Sequence, residues 1–201
     1  MKLIASTTSP FARKVRIVLA EKKLPFDFIV DVPWSDDTEV PKFNPLGKVP
    51  VLVRDGGDTL YDSRVIVEYL EQVKAWPMLI PVESEAMIAV KKWEALADGI
   101  GDAAAAIFIE RKRPEAQQSG DWIARQRRKI DNGLAAMNTS LTGPYCMGES
   151  FTLADIAVGS ALGYLDFRFA EIDWRGAFPA LKALYERLSE RDSFRQTLPE
   201  A

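Results

Sequence analysis

Three short segments carry residues whose types and spacing suit chemistry: Ser9-Pro10, Val49-Pro50 and Asp62-Ser63. Serine before proline marks a helix start. Serine accepts a backbone N–H as the N-cap, and proline suits the first helical position, where an N–H is not needed. The serine's own proton then stays free to donate. A donor at a helix N-terminus sits in positive potential and favours an anion. Ser9 therefore reads as a stabiliser of a negatively charged reactant or as a cap alone, with Ser6, Thr7 and Thr8 as rival hydroxyls. Asp62-Ser63 has the same two readings, helix capping or an anion site on the N–H groups of a helix start. Val49-Pro50 reads first as a proline at the edge of a strand.

What the chain lacks narrows the chemistry. Its 201 residues include no histidine and one cysteine, Cys146. That removes Ser-His-Asp and Cys-His catalysis, the usual zinc sites, and any CxxC redox pair or internal disulfide. Such a chain must act through hydroxyls, carboxylates, lysines, helix ends or a nucleophile that the substrate brings. No metal is expected. The net charge of −3 argues against a nucleic-acid partner. The basic runs Arg111-Lys112-Arg113 and 125–129 read as a helix end and a solvated helix face. Met1 to Ala5 is too short an apolar run for a secretion signal, and no stretch reaches the roughly 18 apolar residues of a membrane span. A cytoplasmic protein with no membrane association is the expectation.

The elements that must position these residues follow from periodicity. Residues 2–5 read as a strand, and a helix opened by Ser9-Pro10 carries Val15, Val18 and Leu19 on one face. Residues 26–30 form a second strand and 31–47 a loop with at most a short helix. Residues 49–53 and 59–61 form two strands joined by the turn signal Asp55-Gly56-Gly57-Asp58. Asp62 starts a helix with Val65, Ile66, Tyr69, Leu70 and Val73 inward. The order βαβ then ββα predicts a mixed α/β domain over 1–75. Pro77 and Pro81 mark a linker over 76–83. Everything from 84 to 201 reads as an all-helical domain, in segments 84–112, 115–141, 152–170 and 178–197. Thr152 and Asp155 form a capping box, read as structural. Cys146 reads as a free structural thiol.

Four segments together resemble the soluble, serine-type glutathione S-transferases, of bacterial appearance. They are residues 9–16 (SPFARKVR), 44–52 (NPLGKVPVL), 60–66 (LYDSRVI) and 151–157 (FTLADIA), in the family's order and spacing. The resemblance implies a thioredoxin-like glutathione-binding domain followed by a helical bundle. It also implies glutathione as co-substrate, a small electrophile as second substrate, and a homodimer.

It further assigns roles. Ser9 matches the thiol-activating serine, which would stabilise the thiolate of bound glutathione. The Val49-Pro50 bond is expected to be cis, with the Val49 backbone pairing with the cysteinyl part of glutathione like an added strand. Lys48 is a solvated lysine or a contact for the glycine carboxylate. Ser63 would hold the γ-glutamyl carboxylate, and Asp62 would face the ammonium of the same end. The family more often has glutamate before this serine, so the shorter Asp62 weakens that contact. Phe11, Trp34, Phe108 and Arg111 are candidates for the second-substrate pocket, although Trp34 and Phe108 taken singly read as core packing. Asp98 and Asp102 read as a solvated helix face, or as groups reaching a partner subunit's ligand. A non-catalytic binding or regulatory protein of the same fold is the alternative to an enzyme.

Overall fold

A computed structural model describes residues 1–200. The chain divides into two compact units, one of residues 1–79 together with the segment from Glu190 onward, the other of Ile80–Ser189. The first unit holds strands β1 (Lys2–Ala5), β2 (Asp27–Val30), β3 (Val51–Val53) and β4 (Thr59–Leu60), with helices α1 (Pro10–Glu21) and α2 (Ser63–Val73). The strand order is β2-β1-β3-β4. β1 and β2 run parallel, as a helical crossover requires, and the pairs β1–β3 and β3–β4 are antiparallel. This is the thioredoxin-like arrangement.

The two faces of the sheet pack against different elements. Leu3 pairs with Leu52 and Ile4 with Val51, so neighbouring pairs point to opposite sides. Ile4 and Val51 pack with Val40 of a short 3-10 helix, Val40–Lys42, with Phe43 and Val53 at the edge. The predicted inner face of α2 needs correction. Ser63, Ile66, Val67 and Leu70 are buried, the spacing of one stripe, whereas Val65 and Val73 are exposed. Val65, Tyr69 and Val73 recur every four residues along a neighbouring flank, and apolar character alone did not separate the two stripes.

Lys22, the C-cap of α1, has no exposed side-chain surface. Its ammonium donates to the carbonyls of Lys74 (2.7 Å) and Pro77 (2.8 Å) and pairs with Glu71 at 2.9 Å. Glu71 in turn accepts the Leu79 N–H at 3.1 Å. One cation thus ties the ends of both helices to the segment that leaves the unit. Lys22→Met is expected to cost about 2–3 kcal/mol in denaturant unfolding, because it leaves the Glu71 carboxylate and the carbonyls of Lys74 and Pro77 without their cation.

The second unit contains α3 (Ser84–Arg111), α4 (Gly120–Ser140), α5 (Leu153–Arg168), α6 (Trp174–Ala177) and α7 (Pro179–Ser189). Leu153 through Leu165 are buried without interruption, so α5 is apolar all round and forms the centre of the bundle. The single helix expected over 178–197 is two: α7, then α8 (Asp192–Arg195). The break has a consequence for the domain limits, since the segment from Glu190 packs with the first unit rather than with the helices before it. Among the described residues no helix is long and apolar enough to cross a membrane.

Candidate active site

Topology brings the three sequence segments together. β1 ends where antiparallel β3 begins, and β4 ends at the same side. Continuing the β1–β3 register past Ile4–Val51 sets Val49-Pro50 beside Ala5 and Ser6. The chain after β1 leads to Ser9, and the chain after β4 leads to Asp62-Ser63. Ser9, Val49 and Ser63 therefore gather at one end of the sheet, at the N-termini of α1 and α2.

Ser9 is the N-cap of α1, with Pro10 in the first turn. Its Oγ accepts the Ala12 N–H at 3.2 Å. The rival hydroxyls are engaged. Thr7 donates to the Glu200 carbonyl at 2.8 Å, and Ser6 and Thr8 share a hydrogen bond of 3.0 Å. Among the described residues the Ser9 O–H has no protein acceptor, so its proton remains available beside the positive end of α1.

The Val49–Pro50 peptide bond is cis, as expected. Val49 lies just before β3, and among the described residues its N–H and C=O have no backbone partner. The loop before it is fixed by Asn44, a residue to which the sequence reading gave no role. Asn44 is buried, accepts the Leu46 N–H at 3.0 Å and donates to the Lys48 carbonyl at 2.8 Å. Gly47 takes φ +61°, the left-handed conformation that the turn needs and glycine supplies. In sequence, residues 31–47 read only as a loop, and only the folded chain shows that the Asn44 amide spans the turn. The Lys48 side chain is exposed.

Asp62 caps α2 by accepting the Arg64 N–H at 2.9 Å. Ser63 is buried, and among the described residues its N–H and hydroxyl have no protein partner. Capping by Asp62 and an open donor pair at Ser63 thus coexist.

The pocket candidates fall in both units. Phe11 is half-buried in the first turn of α1. Trp34 is 57% exposed, so core packing is not its role. It follows β2, whose end lies on the same side of the sheet as the end of β1. In the second unit Phe108 is half-buried, with Lys112 Nζ at 4.9 Å and Arg168 Cζ at 4.5 Å from its ring centre. Arg111 is paired with Glu171 at 2.8 Å. Asp98 is buried, which corrects its reading as part of a solvated face, while Asp102 is exposed. A cavity of about 570 Å³ lies on the other face of the sheet, lined by Ile4, Ile29, Phe43 and Val53 among others; neither Ser9, Val49 nor Ser63 lines it.

Cys146 is free and buried. Burial, and then the neighbouring Asp155 carboxylate, push its thiol pKa far up. In the native protein Cys146 is expected to resist a disulfide exchange reagent, with one equivalent reacting only after denaturation.

The N-terminal domain model of the glutathione S-transferases matches residues 8–73, and their C-terminal domain model matches 120–187. The chain belongs to the glutathione S-transferase family. It is 44% identical over 199 residues to the GST-like protein YibF of Escherichia coli K12, covering 99% of this chain and 98% of that one. A glutathione S-transferase from Methylobacterium radiotolerans, solved in complex with glutathione sulfonate, superposes with a TM-score of 0.96 at 47% identity, over 100% of this chain and 95% of that one. A second, from Methylobacillus flagellatus with glutathione bound, gives the same score and identity over 99% of each chain.

Proposed function

We propose that this protein is a glutathione transferase that binds glutathione at the sheet end and activates its thiol for attack on an electrophilic carbon. The observation that carries the reading is the uncommitted Ser9 hydroxyl at the start of α1. The two solved relatives with glutathione sulfonate or glutathione bound add support. The Val49 N–H and C=O pair with the cysteinyl backbone like an added strand, held there by Pro50 and the Asn44 turn. The Ser63 N–H and hydroxyl take the γ-glutamyl carboxylate at the start of α2, Asp62 faces the ammonium, and Lys48 takes the glycine carboxylate.

That places the cysteinyl sulfur near Ser9. The thiol proton leaves to solvent, and the Ser9 O–H donates to the thiolate. The sulfur lone pair then forms the new C–S bond. Either a leaving group departs with its bonding pair, or the π pair of an activated double bond moves to the far atom and takes a proton from solvent. Proximity supplies much of the rate. Phe11 in the first turn of α1 and the exposed Trp34 after β2 are the apolar groups of the first unit proposed to meet the electrophile. A homodimer, as in the family it resembles, is part of this reading. A cytoplasmic setting keeps glutathione reduced.

The deciding experiment is a glutathione titration by calorimetry, with thiolate absorbance followed across pH. Saturable binding with a thiol pKa well below the free value of about 8.5 is the expected result. No binding at millimolar glutathione overturns the reading and leaves a fold reused for protein contact.

A further inference from the structure

The segment from Glu190 onward lies along α1 within the first unit. It is fastened at both ends. At the C-terminal end of α1 the Glu21 carboxylate accepts Arg191 Nε at 2.9 Å and Nη2 at 2.8 Å, and also the Ser193 hydroxyl. Midway, buried Arg13 donates to the Phe194 carbonyl at 3.3 Å, and Arg16 donates to the Gln196 carbonyl at 3.3 Å. Phe194 itself is buried, with the Arg13 guanidinium 5.6 Å from its ring centre. Beyond the N-terminal end of α1, the Thr7 hydroxyl donates to the Glu200 carbonyl at 2.8 Å. An α-helix of this length spans about 18 Å, so the segment follows α1 from its last residue to the loop that carries Ser9.

The other hydrogen bonds of that loop are local. Ser9 N–H reaches the Ser6 carbonyl at 3.3 Å, Thr8 N–H reaches Ser6 Oγ at 3.3 Å, and Ser6 and Thr8 share their hydroxyl contact. Among the described residues, Thr7–Glu200 is the hydrogen bond that ties residues 6–9 to a distant part of the chain.

We propose that residues 190–200 act as a strap that positions Ser9, with Thr7 and the Glu200 carbonyl as its working contact. The strap rests on the reading of Ser9 as the thiol activator. Its anchors at Glu21, Arg13 and Arg16 fix it to the rigid body of α1. Its far end then holds Thr7, two residues before Ser9, against rotation. A hydroxyl that stabilises a thiolate must hold its donor direction, since a hydrogen bond weakens steeply with misalignment. Thr7 touches no reacting atom in this account; it is a positioning residue.

The test compares the unsubstituted protein, Thr7→Val, Thr7→Ser and a chain shortened by residues 199–201. The thiol pKa of bound glutathione, kcat, KM for glutathione and thermal stability are measured for each. Thr7→Val and the shortened chain are expected to raise the bound thiol pKa by about one unit, a tenfold loss of thiolate at a pH below it, and to lower kcat about tenfold. KM and melting temperature should stay close to the original, and Thr7→Ser should restore both pKa and kcat. A bound thiol that is lowered in the unsubstituted protein and equally lowered in Thr7→Val and the shortened chain overturns the strap's role alone. A thiol unshifted in the unsubstituted protein overturns the activation reading and the strap with it.

Discussion

Ser9→Ala is expected to lower kcat about 10²- to 10³-fold, the range found when a single preorganised donor to a developing anion is removed. Glutathione affinity should change by less than about threefold, because the proposed contacts at Val49, Lys48 and Ser63 would carry most of the binding. The substitution also removes an N-cap, which by itself costs about 0.5–2 kcal/mol of stability. Ser9→Gly separates the two effects, since glycine is tolerated at the cap at a cost of only a few tenths of a kcal/mol. If the hydroxyl acts on the thiolate, both variants lose the same activity while differing in stability. If Ser9 only caps α1, Ser9→Gly remains active. The loss should also depend on pH. A lowered thiol pKa keeps thiolate present at acid pH, so without the hydroxyl the deficit is greatest near pH 6 and shrinks toward pH 9.5, where free glutathione ionises unaided.

Much of this site was legible because it rests on helix starts. Ser9-Pro10, Asp62-Ser63 and Thr152 with Asp155 are capping signals, and all three cap the helices they were expected to cap. The short apolar strand segments and the βαβ-ββα order were equally local, and they carried the sheet. What was hidden depends on contacts across long sequence separations. Nothing around Lys22 announces that its ammonium closes on carbonyls 52 and 55 residues away. The strap was hidden for the same reason. The stripe of Leu181, Leu184, Tyr185 and Leu188 marks α7 but does not say where it stops, and the break before α8 falls where the chain joins the first unit. Trp34 misled in the opposite direction: an isolated tryptophan in a loop rich in Asp and Pro has no periodicity to say whether it is buried. Its exposure became visible only in the folded chain.

Asp155→Ala is expected to be the most destabilising single change, at about 3–5 kcal/mol. Asp155 has no exposed surface. One carboxylate oxygen accepts the Cys146 N–H at 2.7 Å, and the other accepts the Thr152 N–H at 2.8 Å and the Thr152 hydroxyl at 3.3 Å. The carboxylate thus closes the capping box of the buried helix α5 and also pins the loop that precedes it. Alanine leaves these donors unmatched in a site that water does not reach, and the penalty for each falls on the folded state alone. Asp155→Asn keeps one acceptor oxygen and should cost roughly half as much. Burial pushes the Asp155 carboxyl above its ordinary value, with the backbone donors of Cys146 and Thr152 offsetting only part of the rise. A carboxyl raised in the folded state binds its proton more tightly there than in the unfolded chain. Its favourable contribution is therefore complete below the unfolded value of about 3.9 and is lost as pH rises through the folded value. The stability advantage of the unsubstituted protein over Asp155→Asn, which does not titrate, should accordingly shrink with rising pH across that window. Paired denaturant curves at several pH values measure it. An advantage that instead grew with pH would mean that the three donors outweigh burial and hold the carboxyl below its ordinary value.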